Sequence, residues 1–255
     1  MRALAELSQR LSHVDHIRLF LDYDGTLADF APTPDVVEPD PEVIRLLTHL
    51  RQSAKLRVAI ISGRALEQIQ RLIPVSGLLL AGTYGIEIQD ESGEILHRLS
   101  LETVRPPLER LKPGWEACIA GRSGYFLEDK GWALALHARF AADEEAKQVL
   151  IAARRMASDL PEADYRVIEG HKFLEVGPVL ANKGRFVEHA LVHSGLSDEV
   201  PVYVGDDARD EEAFEVVAAR GGDCVIVSPI PAPTRAGYRL PSPQAARQWL
   251  GTLTP

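Results

Sequence analysis

A doubly wound parallel α/β sheet with an inserted, smaller α/β cap domain is the fold that this sequence predicts, and three observations predict it. Short apolar runs alternate with segments of helical periodicity in the first and last parts of the chain. Several of those runs stop abruptly at Gly, Ser or Asp, as strands do when they deliver a loop at the edge of a sheet. Between about residues 102 and 177 the order changes to strand, strand, helix, strand, strand, which is antiparallel in style. The expected division is a core of residues 1–101 and 178–255 with a cap of 102–177.

Met1 to Leu11 spaces Leu4, Leu7 and Leu11 at helical intervals and reads as a docked helix. Leu19-Phe-Leu-Asp-Tyr-Asp-Gly-Thr-Leu27 is a strand buried on both faces that ends in two carboxylates, with Gly25 to turn the backbone. Ala31 to Asp40 is rich in proline and acid and reads as a loop; Asp40-Pro41 then caps a helix with Val43, Leu47 and Leu50 on one face. Leu56 to Ile61 is a second buried strand, followed by Ser62-Gly63-Arg64 and a helix containing Leu66, Ile69 and Leu72. Leu78 to Ala81 is a third strand, and Ile86–Gln89 with Ile95–Leu99 reads as a hairpin around Asp90-Glu-Ser-Gly93.

In the insert, Arg105-Pro-Pro107 and Lys112-Pro-Gly114 punctuate a weak helix. Strands are expected at Tyr125–Glu128, Trp132–Arg139, Tyr165–Ile168 and Lys172–Val176, with a long helix from Ala141 to Leu160. Alternation then resumes: Asn182 caps a helix opened by Lys183, Val202–Val204 is a strand ending in Gly205-Asp206-Asp207, and Cys224–Val227 is the last strand expected.

A formal charge of -9 over 255 residues argues against general nucleic-acid binding. No apolar run approaches the roughly 20 residues that a membrane span needs. Cys118 and Cys224 give neither a metal spacing nor a disulfide framework, so a reducing cytoplasm is the simplest compartment. The oligomeric state is left open.

The chemistry lies at the strand ends. Two carboxylates as close as Asp22 and Asp24 repel unless a cation or proton lies between them, and hard oxygen ligands make Mg²⁺ the natural candidate. Alone, Ser62 reads as a helix cap, Lys183 as a surface charge and Asp206-Asp207 as a capping turn. Together with Asp22 and Asp24 they form a working set for phosphoryl transfer. It comprises a carboxylate nucleophile, a second carboxylate for acid and base work, a hydroxyl and amide for phosphate oxygens, a lysine charge and acids for a metal.

The order Asp-x-Asp-Gly-Thr, Ser, Lys, Gly-Asp-Asp resembles the haloacid dehalogenase superfamily, whose core is Rossmann-like. Asp22-Tyr-Asp-Gly-Thr-Leu27, Ile61-Ser-Gly-Arg64, Leu127-Glu-Asp-Lys-Gly131 with Leu134-Ala-Leu-His137, and Gly205-Asp-Asp-Ala-Arg-Asp-Glu211 resemble the trehalose-6-phosphate phosphatases within it. The resemblance implies a phosphoric monoester hydrolase in which Asp22 is the nucleophile and Asp24 the acid and base. It implies that Ser62, Gly63 and Lys183 hold the phosphate. Mg²⁺ would be held by Asp22, the backbone carbonyl of Asp24 and Asp206, supported by Asp207 or Asp210. Arg64, Glu128, Lys130, His137 and Glu175 would meet the small-molecule sugar phosphate, the last four from the cap.

Three positions depart from the pattern: Gly82-Thr-Tyr-Gly85 replaces Gly-Ser-His-Gly, Gly177 stands where an arginine is common in Glu-x-Arg-Pro, and Arg209 replaces a usual threonine. They leave the sugar open, with a glycosyl-glycerate phosphate or a hexose phosphate as alternatives. From a different class, a catalytically silent sugar-phosphate binding module is the rival.

Overall fold

The computed structural model describes residues 3–29, 38–195 and 198–254. It divides into two compact units, Met1–Leu96 with Asn182–Pro255, and His97–Ala181. In chain order the elements are α1 (Leu4–Ser12), β1 (Ile17–Asp22), α2 (Pro41–Gln52), β2 (Leu56–Ile61), α3 (Leu66–Leu72), β3 (Leu79–Gly82), β4 (Glu87–Gln89) and β5 (Ile95–His97). The insert contains α4 (Leu101–Ile119), β6 (Phe126–Asp129), β7 (Leu134–His137), α5 (Asp143–Ala157), β8 (Tyr165–Gly170) and β9 (Phe173–Pro178). The chain then returns through α6 (Lys183–Val192), β10 (Val200–Gly205), α7 (Glu211–Ala219), β11 (Asp223–Val227), β12 (Tyr238–Leu240) and α8 (Pro243–Leu250).

The first unit is built on an eight-stranded sheet in the order β12-β11-β10-β1-β2-β3-β4-β5. Pairing is parallel from β12 through β3 and becomes antiparallel at β3 and β4. β1 is central and wholly buried, and its successive side chains feed two different cores. Leu19 and Leu21 join Leu7 and Leu11 of α1, Val43 and Leu47 of α2, Ile69 of α3 and Trp249 of α8. Phe20 points the other way, to Phe186 of α6 and Phe214 of α7. A strand sandwiched between helices on both sides has no polar face, which is why its sequence shows no alternation.

Local signals placed the helix starts. Asp40 Oδ1 accepts from Glu42 N at 2.8 Å with Pro41 in the first turn, and Asn182 Oδ1 accepts from Arg185 N at 2.9 Å. Most of the expected loop before Asp40 falls on residues 31–37, outside those described.

Two expectations need correction. Cys224–Val227 is not the last strand: β12 pairs parallel to β11, with Val225 opposite Tyr238, and α8 follows. Three residues interrupted by Arg239 are too short for periodicity to show, although Ser242-Pro243 was a readable cap, and Ser242 Oγ accepts from Ala245 N at 3.2 Å. α4 is also no interrupted helix, running through Pro106, Pro107 and Pro113. Val104, Leu108, Leu111 and Trp115 bury one continuous face, and Trp115 Nε1 donates to Ala153 O of α5 at 3.0 Å.

The second unit has a four-stranded antiparallel sheet, β6-β7-β9-β8. No helix among the described residues is long and apolar enough to cross a membrane.

Candidate active site

Register brings the chemistry together at the carboxyl ends of the central strands. Asp22 closes β1 opposite Ile61 of β2, so Ser62 emerges beside it. On the other side Leu21 lies opposite Val204, so Gly205 and then Asp206 leave β10 at the same level. From here the chain winds outward in both directions, toward β3 and toward β12, which makes this the switch point where an open α/β sheet forms a crevice. Gly25 adopts φ 83°, a left-handed conformation that closes the loop after Asp24, and its N–H donates to Ala28 O at 2.7 Å.

Lys183 is no surface charge. It is 3% exposed, and its ammonium donates to Asp22 Oδ1 at 2.7 Å and Asp210 Oδ1 at 2.6 Å. Asp210 is fully engaged: Tyr203 Oη donates to Oδ1 at 2.7 Å, and Oδ2 accepts the backbone N–H groups of Asp206 at 2.9 Å and Asp207 at 3.0 Å. Gly205 makes this possible, because a Cβ there would lie 2.3 Å from the Asp210 carboxyl carbon. Tyr203 stands inside an apolar strand, where nothing in the sequence marks it as part of a site.

One oxygen is left over. Asp22 Oδ2 is buried with no hydrogen-bond partner among the described residues. Oxygens of Asp22, Asp206 and Asp210 all lie within 4.8 Å of one another, and Thr26 Oγ1 donates to Asp206 at 3.4 Å. This crowding sets the electrostatics. Burial, and then repulsion from Asp210 and Asp207 opposed by Lys183, pushes Asp22 up to about 7. Burial and the neighbouring carboxylates, Asp22 foremost, push Asp206 up to about 9. Burial also raises Asp207, but Lys183 and Arg209 pull harder and bring it to about 2. Lys183 is weakened as an acid: burial would lower its pKa, but Asp210 and Asp22 raise it well above the usual lysine range.

The remaining core residues are placed less simply. Asp207 turns from the cluster to Arg209, whose backbone N–H donates to Oδ1 at 2.9 Å and whose Nε donates to Oδ2 at 2.6 Å. The Asp24 carboxylate is held on both oxygens by Arg64, Nε to Oδ2 at 2.7 Å and Nη2 to Oδ1 at 2.6 Å. Ser62 is buried and caps no helix; its Oγ accepts from Arg64 N at 3.1 Å. Gly63 lies under the ring of Tyr84, where a Cβ would come within 2.6 Å of Cζ.

In the second unit, Glu128, Lys130, His137 and Glu175 form one cluster. Lys130 Nζ donates to Glu175 Oε2 at 2.6 Å, with Glu175 1% exposed. His137 Nε2 lies 3.0 Å from Glu128 Oε2, and its ring stacks on Phe126 at 4.1 Å between centroids. Register explains the grouping: Glu128 pairs with Ala135 and Ala135 with Glu175, so alternate residues of β6, β7 and β9 share one face. Gly177 continues that face opposite Arg166 of β8.

Known proteins resemble this chain in sequence and in fold. The trehalose-phosphatase family model matches residues 20–244. A relative from Sinorhizobium fredii, a probable trehalose-phosphate phosphatase, is 34% identical over 250 residues, covering 97% of this chain and 91% of its own. The C-terminal domain of the C. albicans trehalose-6-phosphate phosphatase shares the fold at TM-score 0.87 and 23% identity, over 98% of this chain and 95% of that one. A haloacid dehalogenase-like hydrolase from Bacteroides thetaiotaomicron superposes at TM-score 0.67 and 15% identity, over 92% and 98% of the two chains. The chain therefore belongs to the trehalose-phosphatase family, with a haloacid dehalogenase fold, and is a phosphoric monoester hydrolase.

Proposed function

We propose that this chain hydrolyses trehalose 6-phosphate to trehalose and inorganic phosphate through an aspartyl-phosphate on Asp22. The observation that supports this most directly is Asp22 Oδ2, a buried carboxylate oxygen with no hydrogen-bond partner among the described residues, on a residue whose other oxygen is held by Lys183. A nucleophile needs one oxygen oriented and one available. Attack forms an oxygen–phosphorus bond and breaks the bond from phosphorus to the sugar oxygen, which departs with a proton from Asp24. Asp24 then takes a proton from the water that cleaves the aspartyl-phosphate. Arg64 holds both Asp24 oxygens in this structure, so Asp24 acts as the acid only once one of those two contacts opens to let an oxygen carry the proton. Ser62, the Gly63 amide and Lys183 are assigned to the phosphate oxygens.

The donor set fits Mg²⁺. Asp22, Asp206 and Asp210 each offer a carboxylate oxygen within 4.8 Å of the others, and carboxylates are the hard ligands that Mg²⁺ takes. Asp22 and Asp206 would hold the ion, with Asp210 fixing the Asp206 backbone behind them. When bound, Mg²⁺ supplies charge neutralisation for the phosphoryl oxygens.

The sugar is inferred from the trehalose-phosphate phosphatase relatives, and the His97–Ala181 unit is proposed as the cap that recognises it. Glu128, Lys130, His137 and Glu175 offer carboxylates, an ammonium and an imidazole on one face, a set suited to sugar hydroxyls. Phosphate release from a panel of sugar phosphates and one chromogenic aryl phosphate, with and without Mg²⁺, tests the reading. Trehalose 6-phosphate should exceed the other sugar phosphates in kcat/KM by about tenfold or more. A glycosyl-glycerate phosphate turned over faster would move the substrate assignment, and no release from any ester would favour a silent binding module.

A further inference from the structure

Tyr84 and Arg209, two positions at which this chain departs from the pattern it resembles, touch one another. Arg209 Nη1 donates to Tyr84 Oη at 3.1 Å, and the guanidinium carbon lies 5.9 Å from the ring centroid. The same guanidinium donates through Nε to Asp207 Oδ2 at 2.6 Å. Tyr84 is in turn locked to the loop after β2. Its backbone N–H donates to Ser62 O at 2.9 Å, its side chain is 3% exposed, and its ring fills the space where Gly63 lacks a Cβ. Tyr84 holds this position at φ 52° and ψ 31°, a left-handed conformation that a non-glycine residue adopts only when its surroundings require it.

We propose that Arg209 is a positioning residue. It bridges the loop after β10 to the Ser62–Gly63 loop through Tyr84, and it holds Asp207 apart from the Asp22, Asp206 and Asp210 cluster. Two neighbouring carboxylates follow β10, and only Asp206 belongs to that cluster. Arg209 occupies both oxygens of the other, which selects between them. Through Tyr84 it also fixes the orientation of the Ser62–Gly63 backbone. A lysine cannot replace it, because one ammonium on a flexible stem does not reproduce a planar fork spanning a carboxylate and a phenol. The inference deepens the assignment of Ser62 and Gly63 to the phosphate and rests on that assignment.

The test uses the full chain and two readouts: calorimetric binding of inorganic phosphate in the presence of Mg²⁺, and the separate kcat and KM for trehalose 6-phosphate. Arg209→Ala and Arg209→Lys should each weaken phosphate binding by about 5- to 20-fold and raise KM in parallel, leaving kcat within about 3-fold. Tyr84→Phe, which removes one oxygen and keeps the ring, should give a smaller loss of the same kind. The double variant Tyr84→Phe with Arg209→Ala should be no worse than Arg209→Ala alone, since both changes break one connection. If Arg209→Ala fails to fold, Arg209→Lys and Tyr84→Phe carry the same comparison. Phosphate binding within about 2-fold of the parent in both arginine variants, or losses that multiply in the double variant, would overturn the positioning role alone. A parent chain that binds no phosphate, or a Ser62→Ala variant that binds it as the parent does, would overturn the phosphate-loop assignment and this inference with it.

Discussion

Lys183 and Asp210 form a buried ion pair at 2.6 Å in which neither partner can be spared, because the lysine also holds Asp22 at 2.7 Å. Removing the cation leaves two carboxylates buried and facing one another. Breaking a buried pair in this way costs on the order of 3–5 kcal/mol. Lys183→Met should therefore lose phosphatase activity and also unfold at a lower denaturant concentration. Mg²⁺ should recover part of that stability, since it replaces part of the lost charge. A denaturation midpoint equal to the parent's in the absence of metal would contradict the structural half of this role.

The acidic cluster predicts how metal-free stability depends on pH. Asp22, pushed up to about 7, and Asp206, up to about 9, both bind protons more tightly when folded than when unfolded. Their contribution is complete below the usual carboxylate range and is lost as pH rises through 7 and then 9. Asp207, brought down to about 2, acts oppositely, but only below the usual carboxylate range. Thermal unfolding in chelator should show Tm falling between pH 5 and 9, with Mg²⁺ restoring more at the upper end. A metal-free Tm that rises steadily across that interval is the contrary result.

Asp22 and Asp24 should separate by role. Asp22→Asn should abolish turnover while keeping or improving metal-free stability, because one member of a crowded set of carboxylates is neutralised. Asp24→Asn should lower hydrolysis of the sugar phosphate by about 10²- to 10⁴-fold and hydrolysis of an aryl phosphate far less, since a good leaving group needs no proton. Equal losses on both esters would remove the acid role from Asp24. Substantial turnover by purified Asp22→Asn would remove the nucleophile.

In the second unit the buried Lys130–Glu175 pair changes how the sugar contacts must be tested. Lys130→Ala strands a carboxylate that is 1% exposed, so it should destabilise as well as weaken binding. The double variant Lys130→Met with Glu175→Gln removes both charges and is the better probe of recognition. It and Glu128→Ala should depress kcat/KM for trehalose 6-phosphate by about 5- to 150-fold and leave an aryl phosphate nearly untouched. Parent-like hydrolysis of the disaccharide phosphate by both variants would remove this face from substrate recognition.

Sequence alone carried the elements whose signals are local. The apolar run of β1, the Asp40-Pro41 and Asn182 caps, and the glycine turns after Asp24 and Val204 each state their structure within a few residues. Because strands in a parallel sheet end together, those runs also announced that Asp22, Ser62 and Asp206 would meet at one edge. What sequence could not contain was any choice made by packing. α4 runs through three prolines while burying one continuous apolar face, and β12 pairs along the edge that β11 offers it. Asp206 and Asp207 look identical in the chain, yet Arg209 takes one and leaves the other to the cluster. Lys183 taken alone reads as a surface lysine, and its assignment to the phosphate comes only from the resemblance; that two carboxylates, 161 and 27 residues away, close around it is seen only in the fold. Tyr84 and Arg209 lie 125 residues apart, and each reads as an isolated departure until the fold sets the phenol against the guanidinium. Capping and periodicity act within a turn or two of chain, whereas ion pairing in a low-dielectric interior depends on which groups the topology brings within a few ångströms.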